Sequence, residues 1–140
     1  MQDILSIPVS PGELQDKITI LQIKATNIRN PSKHKNVLAE LELLENISRQ
    51  QLPDSNELRQ LTARLKDINN QLWILEDDIR KREDREDFGD AFIQLARSIY
   101  LTNDDRAAAK RDINILLNSE IVEEKSYAPY RIATVDIASI

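Results

Sequence analysis

Lys17 and Lys24 stand one heptad apart in the stretch "SPGELQDKITILQIK", and further cations, Arg80, Arg97, Arg106 and Lys110, are spread over the second half of the chain. Lysine and arginine gathered between helices do one kind of chemistry well. They hold a small anion, or stabilise negative charge developing on it, without a cofactor. At 100° per residue Lys17 and Lys24 fall together, about 60–80° from the centre of an apolar stripe, with Ile20 and Ile23 on their far side. Side chains bracketed in this way either lay their stems over the seam and pair with carboxylates such as Glu13 and Glu76, or face an anion from outside. Pairing within the protein is the expectation. A second strip holds Asn69, Trp73, Glu76 and Arg80, with Glu76 and Arg80 at the favourable i, i+4 spacing. The most polar junction is "ARSIYLTNDDRAAAKRDIN", which contributes Arg97, Tyr100, Arg106 and Lys110. There the structural alternative is capping and surface ion pairing. The candidate cluster is thus Lys17, Lys24, Trp73, Glu76, Arg80, Arg97, Tyr100, Arg106 and Lys110.

Other chemistries are excluded by composition. The absence of cysteine removes disulfides, thiolate metal sites and a thiol nucleophile, and a single histidine, His34, removes any multi-histidine metal site. His34 reads as an exposed loop residue with no triad around it. The run Glu76, Asp77, Asp78 cannot converge on one ion, because successive helical side chains point about 100° apart. Glu42 and Glu45 make one acidic pair, but the second pair that helical nucleotide pyrophosphohydrolases use to hold magnesium is missing. No metal and no cofactor are expected. A net charge of −5 argues against nucleic acid as a partner. No apolar run approaches the ~18 residues of a membrane span, and "MQDILSIPVS" lacks a basic n-region, so the expected location is cytoplasmic, away from any membrane.

Helices must position these residues. Two glycines and five prolines in 140 residues leave few turns, and aromatics make up only 4% against 41% hydrophobic residues, a mixture suited to Leu/Ile seams. Ser10, Pro11 and Glu13 form a helix start with a capping box. Leu14, Ile18, Leu21, Ala25 and Ile28 then follow steps of 4 and 3, and Pro31 ends or bends the helix. A second helix carries Val37, Leu38, Leu41, Leu44 and Ile47. Asp54 or Ser55 caps a third, whose seam runs Leu58, Leu61, Leu65, Ile68, Leu72, Leu75, Ile79. Phe88, Phe92, Leu95 and Ile99 begin another, and Thr102 with Asp105 signals a fresh cap before a short last helix. The β-branched tail "SYAPYRIATVDIASI" is expected to be extended, with "ILSIPV" at the other end as its strand partner or with one arm crossing to a second subunit. The expected fold is an all-α antiparallel bundle, residues 1–140 as one domain, with long coiled-coil-like helices and a C-terminal helical hairpin. An extended N-terminal segment (1–9) and C-terminal arm (127–140) flank it. Long seams favour a homo-oligomer, most simply a dimer.

The blocks "IPVSPGELQDKITILQIK", "NNQLWILEDDIRKRE", "FIQLARSIYLTNDDRAAAKRDIN" and "VEEKSYAPY" resemble the serial signatures of an uncharacterised bacterial family, a domain of unknown function, over about residues 7–130. The resemblance implies no activity. It leaves the segment after Tyr130 outside, and its matching polar positions add Glu13, Asp16, Asp77, Asp78, Asn103, Glu123, Glu124, Lys125 and Tyr127 to the candidate cluster. With no nucleophile, base or metal constellation in view, the expected role is a self-associating interaction or accessory module without catalysis, possible protein partners included. The alternative is a cofactor-free enzyme or binder of a small carboxylate or sugar phosphate in an interhelical Lys/Arg pocket, of which helical chorismate mutases are an example.

Overall fold

The computed structural model describes residues 3–131, over which the chain is helical with no strand. Four helices follow one another: α1 (Pro11–Asn27), α2 (Pro31–Gln51), α3 (Asn56–Asp84) and α4 (Asp90–Leu116).

Local chemistry sets their ends. Ser10 Oγ accepts from Glu13 N at 3.1 Å with Pro11 in the first helical position, and Asn30 with Pro31 repeats the arrangement at α2. At α3 the cap is Ser55, which accepts from Leu58 N at 3.1 Å, while the neighbouring Asp54 pairs outward with Arg59. Each of these oxygens satisfies a first-turn donor that the helix itself leaves unpaired. Helices α3 and α4 both stop in a Schellman closure. Glu86 and Asn118 take left-handed conformations (φ 53° and 52°), and the next amide bonds back to Arg82 O and Asn114 O respectively, both at 2.9 Å.

The break expected at Thr102 does not occur: α4 is continuous through it. A cap pattern ends a helix only where something stops the preceding turn. No glycine or proline lies between Asp90 and Leu116, Ala107–Ala109 are strong helix formers, and Thr102 is buried against the bundle. The C-terminal hairpin is therefore that of α3 and α4 themselves.

Helix α1 is the hub. Its backbone approaches α2, α3 and α4, whereas α2 approaches no other helix. Asp16 meets Asn69 of α3 and Arg106 of α4, while Gly12 meets Asn114. From these pairings α1 runs parallel to α3 and antiparallel to α4. The main apolar core lies between α3 and α4: Leu58, Leu65, Ile68, Leu72, Ala109 and Ile113, with Leu65, Ala109 and Ile113 fully buried. Each such leucine or isoleucine contributes roughly 1.5–3 kcal/mol. The stripe Leu14, Ile18, Leu21 is centred roughly 130–170° around α1 from Asp16 and Thr19, which face α3 and α4, so α2 covers it. α2 has no fully buried residue of its own. His34 sits in its first turn, half-buried, with Nε2 3.0 Å from Ala25 O, and is not the loop residue expected.

At ~1.5 Å per residue, α3 is about 43 Å long and α1 only about 25 Å, so the α3–α4 hairpin runs on past α1. Phe88 and Phe92 pack edge to face near its turn, with centroids 5.3 Å apart. After Asn118 the chain doubles back along α4 as an exposed strap. Residues 3–9 belong to no helix and are exposed. Their expected pairing with the tail falls on residues 132–140, outside the described residues.

Candidate functional site

Near the middle of the bundle, α1 faces α3 and α4 with polar side chains. Asp16, 1% exposed, accepts from Arg106 through both carboxylate oxygens: Nε to Oδ1 at 2.9 Å and Nη2 to Oδ2 at 2.5 Å. Asn69 Nδ2 donates to Asp16 Oδ1 at 2.9 Å and to Thr19 Oγ1 at 3.0 Å, and Thr19 Oγ1 donates to Asp16 O. Burial alone would raise the Asp16 pKa. The hydrogen bonds from Arg106 and Asn69, with the charges of Arg106 and Lys110, outweigh it and hold the carboxyl below its ordinary range. Arg106 is raised in turn, chiefly by its bond to Asp16. No buried side-chain polar atom of the described residues lacks a partner. A network satisfied in this way fixes its members in place.

The network forms one end of a groove of about 440 Å³ between α1, α3 and α4. Ile20, Ile23, Leu72 and Trp73 give it an apolar floor, and Lys24, Glu76, Arg80, Asn103 and Arg106 are among its polar lining. Most of the charges have a counter-ion inside the protein. Arg80 pairs with Glu76, Asp77 with Lys81 at 2.9 Å, and Arg106 with Asp16. Lys24 alone among the groove's cations has no ion pair among the described residues, and Arg106 Nη1 takes no part in the pair with Asp16.

Five of the nine candidate residues therefore share the groove: Lys24, Trp73, Glu76, Arg80 and Arg106. Tyr100 and Lys110 lie outside the groove, in a cleft of about 720 Å³ beneath the strap, which Arg106 also lines. Lys110, 7% exposed, stands 2.8 Å from both Glu13 and Glu123. Burial lowers its pKa, but the two carboxylates more than reverse that, and the ammonium is raised overall. Lys17 lines neither cavity: it is half-exposed and pairs with Glu13 at 3.7 Å, one of the partners expected for it. Arg97 also lies outside both linings and donates to Gln94 Oε1 at 3.2 Å. The pairing of both lysines with Glu76 is not found; Glu76 shares the groove with Lys24 but is taken by Arg80.

Asp16, Thr19 and Asn103 were absent from the candidate cluster, yet they build the site. The sequence did hold a signal. Gly12, Asp16, Thr19 and Ile23 follow steps of 4, 3 and 4, a second stripe opposite the leucine stripe, and a helix with two such stripes is covered on both sides. Among the described residues no three His, Asp or Glu side chains could hold a metal ion, and no helix is long and apolar enough to cross a membrane.

A family model matches residues 5–138, nearly the whole chain. The chain belongs to DUF6165, a family of unknown function. The match runs past Tyr130 to residue 138, so the C-terminal segment is part of the family's domain, contrary to the narrower span expected from the signature blocks. No curated protein matches the chain, and no solved structure does.

Proposed function

We propose that this DUF6165 domain is a binding module for a small amphipathic monoanion, a carboxylate on an apolar or aromatic body, held in the α1–α3–α4 groove. The observation that carries the reading is Lys24: a cation with no internal counter-ion at the edge of an apolar floor. Arg106 stands across from it on α4, held by Asp16, with Nη1 outside that pair. An anion bridging the two gains charge-assisted hydrogen bonds, while its body covers Ile20, Ile23, Leu72 and Trp73. The groove's volume falls within the range for small-molecule sites, roughly 300–1,000 Å³. Because Arg106 is fixed before the ligand arrives, little ordering entropy opposes binding.

Trp73 is the only tryptophan of the chain, so its fluorescence reports directly on the groove. Titration with 3-phenylpropionate is expected to give a saturable change, and the uncharged 3-phenylpropanamide a response about tenfold weaker or less. Lys24→Met, which keeps the apolar stem, is expected to remove that preference for the charged probe. Equal responses to acid and amide, or no response through the millimolar range, contradict the reading.

A second reading, self-association with another copy of this chain, is favoured by residues 3–9. Ile4, Leu5 and Ile7 are 75%, 89% and 73% exposed on a segment outside the helices whose backbone makes no hydrogen bonds among the described residues. Such a segment is suited to strand pairing with its own copy. Light scattering at high protein concentration is expected to give a dimer that Ile4→Glu with Ile7→Glu returns to monomer; a strictly monomeric wild type rejects it.

A further inference from the structure

We infer that residues 119–131 form a closing strap on the α4 side of the anion site, latched at Asp104 and Lys110, and that strap closure and ligand binding are coupled through Arg106. The inference rests on the groove reading above and extends it to a part of the chain that no helix includes. Three observations lead to it.

The first is shared walls. Asn103 and Arg106 line both the groove and the cleft beneath the strap, so the two cavities lie on either side of the same two α4 side chains. A ligand anion bonded to Arg106 Nη1 in the groove places its charge beside the strap cleft as well, with the Asp16 pair intact.

The second is where the aromatic side chains lie. The chain has three tyrosines, and all three, Tyr100, Tyr127 and Tyr130, line the strap cleft. Tyr100 and Tyr130 meet edge to face, with centroids 5.6 Å apart and planes at 70°. Lys125 lies 5.1 Å from the Tyr127 ring centroid. In a chain with so few aromatics, this gathers them where an extended segment must be held against a helix.

The third is the character of the latch. Glu123 pairs with Lys110 at 2.8 Å, Lys125 with Asp104 at 2.5 Å, and the Tyr130 hydroxyl donates to Asp104. Asp104 thus receives two strap residues at once. From Ile121 to Arg131 every strap residue is exposed, so these side-chain contacts, rather than a buried apolar core, keep it closed. The exposed Lys125–Asp104 pair contributes little, and the buried Lys110 keeps Glu13 as a carboxylate partner when Glu123 leaves, so the closed strap lies near balance with an open one, and a modest bias from a ligand moves it. Lys110 ties the strap to α1 as well, since it pairs with both Glu123 of the strap and Glu13 of α1.

The test reads strap and groove separately. Trypsin cleavage after Lys125, followed by mass spectrometry, reports strap opening; Trp73 fluorescence reports groove occupancy. In wild type, 3-phenylpropionate is expected to slow cleavage after Lys125. Asp104→Asn, which leaves the groove lining intact, is expected to speed cleavage and to weaken probe binding roughly fivefold or more, since coupling is reciprocal. Tyr130→Phe removes one of the two bonds to Asp104 and should fall between. If the probe changes Trp73 emission while cleavage is unaltered, and Asp104→Asn binds it as tightly as wild type, the coupling is overturned and the groove reading stands. Absence of any Trp73 response in wild type overturns both.

Discussion

Toward α2, helix α1 presents Leu14, Ile18, Leu21 and Ala25; toward α3 and α4 it presents Gly12, Asp16, Thr19 and Ile23. The two stripes have the same 4-3-4 spacing and opposite character. The leucine stripe asks its partner only for apolar area, and α2 provides it without burying any residue of its own completely. The polar stripe asks for particular groups at particular heights: Asn114 for the Gly12 amide, Arg106 and Asn69 for Asp16. The first kind of contact adds stability and tolerates repacking, whereas the second fixes register and places charged side chains beside a groove.

Of the two stripes of α1, breaking the polar one should have the larger effect. Asp16→Ala leaves the Arg106 guanidinium without its counter-ion in a site that is two-thirds buried, and is expected to cost about 3–5 kcal/mol in urea unfolding. The same pair makes part of the stability depend on pH. The folded-state pKa of Asp16 is depressed, so its contribution is fully present above the ordinary carboxylate pKa and is lost as pH falls through the lower folded value. Stability measured from pH 6 downward should fall steeply in that acid window, and Asp16→Asn should flatten the slope there.

Breaking the leucine stripe should cost less than its burial suggests. Leu21→Ala opens a cavity against a single covering helix that can settle inward, so about 2 kcal/mol is expected, the low end for such a truncation. Leu65→Ala, in the fully buried α3–α4 core, should lie nearer the upper end, about 4–5 kcal/mol. Hydrogen exchange should order the helices likewise, with α2 opening before α3.

Gly12→Ala sharpens the comparison at close range. A Cβ there would stand 2.4 Å from Lys110 O, a backbone atom that cannot swing away. A loss of about 1–3 kcal/mol is expected, with the α1–α4 spacing widened at that end. At Ser55 only a helix cap is at stake, and Ser55→Ala should cost about 1 kcal/mol by thermal denaturation.

The contrast also explains what could be read from the chain beforehand. Caps at Ser10 and in the Asp54–Ser55 pair, the Pro31 boundary and the long Leu58–Ile79 seam all depend on neighbours in sequence, and each is visible as residue type and spacing. Thr102 misled because its cap signal is local while the decision to continue α4 is collective, made by uninterrupted helix formers and by burial. Lys17 and Lys24 look equivalent on a wheel, yet they lie about 10 Å apart along the axis and meet different surroundings. One reaches Glu13, the other the groove. The Asp16–Arg106 pair joins residues 90 apart, a contact no local pattern encodes. Only the second stripe on α1 hinted that something polar was being met there.

On the function proposed above, the polar stripe of α1 holds one wall of an anion site whose unpaired charge is Lys24. A crystal structure of the protein grown with 3-phenylpropionate tests it most directly. The carboxylate is expected within hydrogen-bonding distance of Lys24 Nζ and Arg106 Nη1, the phenyl ring over Trp73 and Leu72, and the Asp16–Arg106 pair unchanged. A structure with the probe elsewhere, or with Lys24 paired to Glu76 or Asp77 and the groove closed over, would contradict it.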